Sequence, residues 1–424
     1  MSTVNKAPYL EEAVQPFTPR TAMEEAARCL LCHEPPCSDS CPAGTNPGKF
    51  IRSIRFRNVK GAAETIREAN VLGGVCARVC PTDKLCEEAC SRTGIDRPIE
   101  IGRLQRFVTD QEKIFGMEIL KKGPAKNKKI ACVGSGPVSL ACAAALAAAG
   151  YQVVIYEQKP EPGGVLTYGI IPSRLPKEVV EQEIGRIKKL GVEFKLGAKI
   201  GRDLSLEALK SQFDAVFLGL GLWGGKLPAL EGIDLKGVYS AVDYLSQAKD
   251  SGGRELAAER AVIIGGGDVA MDCASTAKQL GAKTTIVYRR TLEDAPANAA
   301  EVKFVQSLGV GFIFQFTPSK ILGKDGKVCG FEAKGTDGES ELRLKADQVI
   351  FAIGQAPEEI LLSEKLELTD KKLIKINDEN HSTSLKGVFA AGDAVNGGKT
   401  VVQAVAEGKT AAFAIMSYLT GEAK

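Results

Sequence analysis

The sequence predicts an α/β fold in which two copies of one nucleotide-binding unit follow an α-helical, cysteine-rich domain. Three observations carry this prediction. A strand–glycine turn–helix–strand pattern occurs at 129–157 and again at 260–290. Eight cysteines are gathered between Cys29 and Cys90, and four more are scattered over the remaining chain. The 424 residues are enough for two or three domains with sizeable cores.

Composition excludes several function classes. A formal net charge of +3 is too small to argue for a nucleic-acid or membrane partner. No apolar run reaches the roughly 18 residues of a membrane span, and "LACAAALAAAG" reads as a buried helix. The polar start "MSTVNKAPYLEEAVQ" has no signal-peptide core, so a cytoplasmic protein with reduced thiols is expected. With His33 and His381 the only histidines, histidine catalysis has little material. The basic run "KKGPAKNKK" reads as a solvated linker.

The first cysteine block, "CLLCHEPPCSDSCP", has the spacing C-x2-C-x4-C-x3-C-P; the second, "CARVCPTDKLCEEAC", reads C-x3-C-P-x4-C-x3-C. Clustered thiols in a reducing compartment suggest metal rather than disulfides. Runs ending in Cys-Pro are typical of iron–sulfur ligation, where the last cysteine serves the other cluster. A C-x3-C pair on a helix presents both thiolates on one face, which suits Cys76 with Cys80 and Cys86 with Cys90. Two zinc sites of four cysteines each are the alternative, but structural zinc takes C-x2–4-C pairs that are well separated. Cys132, Cys142, Cys273 and Cys329 lie among apolar residues and are expected to be buried core thiols.

In the first repeat, Gly134, Gly136 and Ser139 occupy the G-x-G-x-x-G/A positions, and Glu157 ends the following strand where an acid can bind a ribose. In the second, Gly265, Gly267 and Ala270 take the same places. Gly134 to Gly150 and Gly265 to Gly281 are both sixteen residues apart, so the copies align without gaps through the helix. Tyr288 aligns with Glu157 and is followed by Arg289 and Arg290, which suit a 2′-phosphate. The alternative for these arginines is exposed charge closing a strand. Near the C-terminus a strand runs into Gly392-Asp393 and a glycine loop, then a helix begins near Thr400. Such an aspartate can bind a flavin's phosphate or ribityl chain, and the helix N-terminus can stabilise negative charge on a reduced flavin. Two dinucleotides, FAD and NAD(P), are therefore expected.

The stretches "ARCLLCHEPPC", "PGKFIRSIRFRNVKGAAETIRE", "GGVCARVCPTDKLC", "PIEIGRLQRFVTD" and "GGGDVAMDCAST" carry a resemblance over nearly the whole chain. The sequence resembles the flavin and iron–sulfur half of dihydropyrimidine dehydrogenase, including its bacterial NAD-dependent form, and the small subunit of glutamate synthase. That resemblance implies one [4Fe–4S] cluster on Cys29, Cys32, Cys37 and Cys90. It implies a second on Cys41, Cys80, Cys86 and Gln105, where spacing alone would put Cys76. It implies FAD at Gly134, Ser135, Gly136, Pro137, Ser139, Glu157, Gly164, Val165, Arg174, Ile200, Gly392, Asp393, Thr400 and Val401. The segment "GGVLTYGIIPSRLP", 163–176, is similar to the stretch that wraps the flavin. NADH or NADPH would lie on Gly265, Gly266, Gly267, Asp268, Val269, Arg289, Arg290 and Gly354.

The implied domains are 1–124 for the clusters, 125–225 and 349–424 for FAD, and 226–348 for NAD(P)H. The implied activity is that of an NAD(P)H-dependent FAD/iron–sulfur oxidoreductase of the dihydropyrimidine dehydrogenase type, with no essential side-chain acid or base. Electrons would leave through the clusters to a second flavoprotein subunit of FMN-barrel type, where uracil and thymine are interconverted with their 5,6-dihydro forms. One departure bears on the cofactor. NADH-type relatives are similar to "ARE" where this chain has "YRR", while NADPH-type relatives add downstream arginines where this chain has Leu292 and Asn298, with Glu293 and Asp294 between. The alternatives are a glutamate synthase small subunit and a zinc-stapled scaffold without catalysis.

Overall fold

The structure is a computed structural model that describes residues 12–357 and 365–421. The parts of the expected cluster and flavin domains at 1–11, 358–364 and 422–424 lie outside the described residues. The N-terminal helices are α1 (Pro19–Ala27), α2 (Pro36–Asp39), α3 (Pro47–Arg55), α4 (Val59–Ala69), α5 (Gly73–Val79) and α6 (Ile101–Ile114). The first α/β region holds β1 (Lys129–Val133), α7 (Pro137–Ala148), β2 (Gln152–Glu157), α8 (Val165–Tyr168), α9 (Lys177–Lys189), β3 (Glu193–Leu196), α10 (Leu206–Gln212) and β4 (Ala215–Leu218). Next come β5 (Gly224–Gly225), β6 (Val238–Ser240), α11 (Ala241–Asp250), β7 (Arg260–Ile264), α12 (Asp268–Gln279), β8 (Lys283–Tyr288) and α13 (Ala299–Ser307). β9 (Gly311–Phe314), β10 (Phe316–Lys324), β11 (Lys327–Gly335), β12 (Glu341–Lys345), β13 (Gln348–Phe351) and β14 (Gln355–Ala356) follow. The described chain ends with β15 (Val388–Ala390), α14 (Asp393–Asn396) and α15 (Val401–Thr420).

The chain divides into two compact units. One comprises 12–167, 174–222, 357 and 365–421; the other comprises 168–173 and 223–356. The larger unit contains a five-stranded parallel sheet in the order β15-β4-β1-β2-β3. β1 lies at its centre, so the crevice at the carboxyl ends of the strands opens beside the first glycine turn. α7 is apolar on nearly every face because it is covered on all sides. It packs on the sheet, and α15 packs on it so tightly that a Cβ on Gly408 would lie 2.3 Å from the Val138 carbonyl oxygen.

The helical part of this unit has its own core of Phe50, Ile51, Ile54, Ile66, Ile101, Leu104 and Phe107. It is tied to α9 of the α/β region by a buried ionic network. Arg67 donates to Glu112 Oε2 at 2.7 Å and to Glu183 Oε2 at 2.7 Å, and the three side chains are at most 1% exposed. Arg186 lies 3.2 Å from Glu112 and 3.3 Å from Glu183, completing the charge balance.

The smaller unit repeats the plan with the parallel order β6-β13-β7-β8-β9. Its helical face is packed by Tyr244, Met271, Ala274, Ile286 and Val305, and its other face by the β10–β12 meander through Ile321, Val328 and Phe331. Four expectations are corrected. The boundary at 348/349 cuts through β13, which is hydrogen-bonded between β6 and β7, so this unit runs on to Ala356 and begins at Trp223 rather than 226. The segment 163–176 is divided: 168–173 belongs to the smaller unit, where Ile171 joins the helical-face core. Cys86 and Cys90 do not share a helix; after a 3-10 turn at Thr82–Lys84 and an irregular Leu85 backbone, Cys86 lies in a turn and Cys90 caps the 3-10 helix Ser91–Gly94. Cys329 is exposed, because its neighbour Val328 points inward and adjacent residues on a strand alternate faces.

Removing Arg67 would leave two buried carboxylates, Glu112 and Glu183, with only Arg186 to balance them among the described residues. Breaking such a pair costs about 3–5 kcal/mol. Arg67→Met is therefore expected to lower the unfolding free energy by about 3–5 kcal/mol, read from urea denaturation as a lower midpoint at unchanged slope.

Candidate functional site

The cysteines converge in two groups that follow no sequence block. Cys29, Cys32, Cys37 and Cys90 act on one another electrostatically, and burial together with these neighbours pushes the Cys37 thiol up to about 11. Leu31 adopts φ +54 between the first two, a left-handed turn that costs a bulky residue roughly 1–3 kcal/mol and that favours ligand-holding loops. Cations surround the group: Arg55 donates to the Cys29 carbonyl at 3.2 Å, and Arg92 to the Arg28 carbonyl at 3.1 Å. Positive charge beside four thiolates suits an anionic cluster. The same arrangement joins the two blocks, because Cys90 belongs to the second.

Cys80 and Cys86 both face Cys41, forming the second group. Hydrogen bonding to Cys76, then burial, raises the Cys80 thiol; for Cys86 burial is the main cause. Cys76 is 2% exposed and sits one turn before Cys80 on α5. Gln105, 8% exposed on α6, donates its amide nitrogen to the Gly73 carbonyl at 2.8 Å. That bond fixes the side chain against the start of α5 and commits Nε2 as donor, so Oε1 is the atom left to ligate. Among the described residues, no three His, Cys, Asp or Glu side chains are placed to hold a single metal ion.

At the first glycine turn, Gly134 takes φ +88 with a prospective Cβ 2.4 Å from the Gly219 carbonyl oxygen, so only glycine fits. Gly136 is the N-cap of α7, carries no side-chain cap, and would meet nothing within 4 Å if given a Cβ. The open side of the turn and the uncapped N–H groups form a cradle for a pyrophosphate. Ser139 lies where α7 meets the Gly219 backbone. Glu157 is buried and accepts from the Ser135 N–H at 2.9 Å, the Ser135 hydroxyl at 2.6 Å and the Lys159 N–H at 2.8 Å. A carboxylate has about four acceptor sites, so capacity for a ribose hydroxyl remains. Gly164 approaches so closely that its Cβ would lie 2.7 Å from Gly136 Cα, which sets α8 and Val165 over the turn.

Arg174 is half-buried at the return of the chain into this unit, and Ile200 lies in the core on the sheet's other face. Gly392 packs on Val138 and donates its N–H to Glu407 at 2.9 Å, while Asn396 donates to both Glu407 oxygens. Burial raises the Asp393 carboxyl above its usual range, opposed by the Lys399 N–H bond. α15 starts at Val401 behind a capping box in which Thr400 and Gln403 satisfy each other.

In the smaller unit Gly265, at φ +144, would place a Cβ 2.4 Å from the Ala352 carbonyl oxygen. Gly267 is an uncapped N-cap with only Pro296 near it, at 3.9 Å. Asp268 accepts from the Asn298 N–H at 2.7 Å, and Val269 is exposed in the first turn of α12. Gly354 follows β13, and its carbonyl accepts from the Lys226 N–H. The Tyr288 ring covers Gly266, whose Cβ would lie 2.7 Å from it, so the Ser135–Glu157 bond of the first unit is replaced by a Gly–Tyr contact. Arg289 and Arg290 are exposed and form no ion pair among the described residues. Sequence reading did not anticipate the Tyr288–Gly266 contact, the Glu407 clamp or the part taken by Ser135. Their signal, a paired change at aligned positions 135/157 and 266/288, shows only when both units are superposed.

The family profile described as dihydropyrimidine dehydrogenase domain II, 4Fe-4S cluster, matches residues 6–117, and that of the pyridine nucleotide-disulphide oxidoreductases matches 128–408. The NAD-dependent dihydropyrimidine dehydrogenase subunit PreT of Escherichia coli O157:H7 is 49% identical, covering 97% of this chain and 98% of that protein. The chain belongs to the PreT and glutamate synthase small-chain family. The glutamate synthase [NADPH] small chain of Escherichia coli K12 is 36% identical over 96% of this chain and 93% of its own. Among solved structures, Mycobacterium tuberculosis FprA in complex with NADPH matches with TM-score 0.58 at 19% identity, covering 70% of this chain and 85% of that one. Thioredoxin reductase of T. acidophilum matches with TM-score 0.56 at 20% identity, covering 70% and 100%. These two share the fold. The family assignment makes the chain an NAD(P)H-dependent oxidoreductase subunit with iron–sulfur, FAD and nicotinamide cofactors, and it displaces the zinc scaffold.

For the eighth ligand, Cys76→Ala is expected to keep parental iron content, while Gln105→Ala loses iron or alters one cluster's EPR signal. Iron analysis and EPR of the two purified variants check this; equal iron loss in both would remove Gln105 from the site.

Proposed function

We propose that the chain is the electron-input subunit of a cytoplasmic dihydropyrimidine dehydrogenase. It oxidises NADH or NADPH at FAD and delivers electrons through two [4Fe–4S] clusters to a second flavoprotein subunit. That partner, of FMN-barrel type, interconverts uracil or thymine and the 5,6-dihydropyrimidines. The observation that favours this over the glutamate synthase reading is the 49% identity with PreT across 97% of the chain, against 36% with the small chain.

When bound, the flavin takes a hydride and yields single electrons that iron–sulfur clusters can carry. The protein's part is to bind and orient. The uncapped N-termini of α7 and α12 offer N–H groups to the two pyrophosphates. Glu157 holds a ribose through acceptor sites left over from Ser135 and Lys159. The N-terminus of α15 would offer positive dipole to a bound flavin. Cys29, Cys32, Cys37 and Cys90 hold one cluster, and Cys41, Cys80, Cys86 and Gln105 the other. No step calls for a side chain to take or give a proton.

The holoprotein, mixed with a barrel-type flavoprotein subunit, is expected to oxidise NADH or NADPH in response to uracil or thymine. It is expected to give none in response to 2-oxoglutarate and glutamine with a glutamate synthase large subunit. The opposite pattern would establish the glutamate synthase reading.

The nicotinamide preference turns on Arg289 and Arg290. A charge-assisted hydrogen bond to a 2′-phosphate is worth about 1.5–3 kcal/mol, roughly tenfold to hundredfold in affinity. The Thr291 hydroxyl, at 2.9 Å, holds the nearby Asp294 carboxyl below its usual range and keeps a negative charge beside that position. Both cofactors are therefore expected to serve, with less than about a hundredfold discrimination and a slight preference for NADH. Arg290→Glu should lower kcat/KM for NADPH far more than for NADH; an unchanged ratio would show that Arg290 does not read the 2′ position.

A further inference from the structure

α15 carries one cation that none of the expected flavin contacts uses. Lys409 follows Gly408, the residue at which the α15 backbone comes close to the α7 backbone. The helix axis is therefore fixed where Lys409 leaves it. Its half-buried ammonium donates to the Ala69 carbonyl at 2.7 Å and to the Ala43 carbonyl at 3.1 Å. Ala69 is the last residue of α4, whose terminal carbonyls lack partners within the helix and favour a cation. Ala43 lies in the tight turn closed by the Gly44 N–H to Cys41 carbonyl bond, at 2.9 Å. The Cys41 sulfur is close enough to act electrostatically on the ammonium, as is Glu68, whose own exposed carboxylate also lies 3.7 Å from Lys49. An ammonium has three N–H donors. Two are engaged, and the third has no partner among the described residues.

A bare helix cap would need only the Ala69 bond. Lys409 spends a second donor on the Cys41 turn and leaves its charge beside that thiol. We propose that Lys409 is a positioning residue of the second iron–sulfur site. Its two hydrogen bonds anchor the Cys41 turn to the helix whose N-terminus serves the flavin, about 12 Å away along the axis at 1.5 Å per residue. Its charge stabilises the more negative, reduced state of the group bound at Cys41. A fixed cation in a partly desolvated place favours the form carrying the extra electron, and contacts just outside the ligand shell commonly set cluster potentials. This rests on the reading of Cys41 as a ligand of a second cluster.

The test is an EPR-monitored redox titration of the purified full-length holoprotein, with Lys409→Met and Lys409→Arg beside the parent, and iron content measured for each. The signal altered by Cys41→Ser identifies the cluster in question. Lys409→Met is expected to shift that cluster's midpoint to lower potential and to leave the other unmoved, while Lys409→Arg stays close to the parent. Iron loss in the Met variant alone is the same role in stronger form, because the anchor has failed. Unmoved potentials in Lys409→Met with full iron, equal shifts of both clusters, or iron loss shared by Lys409→Arg would overturn the inference. Failure of the underlying reading looks different: the parent protein itself would then contain fewer than two clusters.

Discussion

The structure depends on a closed set of buried charges. Arg67 on α4 binds Glu112 on α6 and Glu183 on α9, and Arg186 balances the second negative charge. Glu183 also accepts from the Gly74 N–H at 2.7 Å, at the start of the helix that carries Cys76 and leads to Cys80. Buried ions are costly unless each is matched, so this set tolerates few arrangements. It therefore fixes α4, α5 and α6 against α9 in one geometry, as electron transfer between bound groups requires.

Around that anchor the same solution is used twice. β1 and β7 each end in a glycine turn that leads into an uncapped helix, and each turn is pressed against the neighbouring strand's backbone by a residue with no side chain. The copies diverge at the residue after the first glycine and at the end of the second strand. Glu157 with Ser135 makes a buried acceptor in one, and Tyr288 over Gly266 followed by exposed arginines makes a basic rim in the other. A single exchange could not convert one into the other, because a serine at Gly266 would collide with the Tyr288 ring.

Within the larger unit, helix α15 ties several parts together. Its N-terminus is capped by Thr400 and Gln403, Gly408 seats it on α7, and Glu407 holds the Gly392 turn. One regular element thus carries contacts that would otherwise need several loops, and its rigidity keeps them in register.

The sequence by itself determined the two α/β repeats, since glycine spacing, apolar strands and helix length are local properties. It also pointed to the family, through the resemblance that stretches such as "GGVCARVCPTDKLC" carry. The grouping of Cys90 with Cys29, Cys32 and Cys37 reached the sequence reading only through that resemblance; the structure brings these thiols together by folding α1 and the turns after α5 onto one core. Only tertiary structure decided the rest. It placed β13 in the second parallel sheet, divided 163–176 between units, and set Cys86 in a turn and Cys90 ahead of a 3-10 helix. It exposed Cys329, which its strand neighbours had disguised as core. Arg67, Glu112 and Glu183 read as ordinary surface charges in a linear chain, as does Lys409. Their partners lie 45, 116 and more than 300 residues away, and no periodicity or spacing encodes a contact made only when separate elements close on one another.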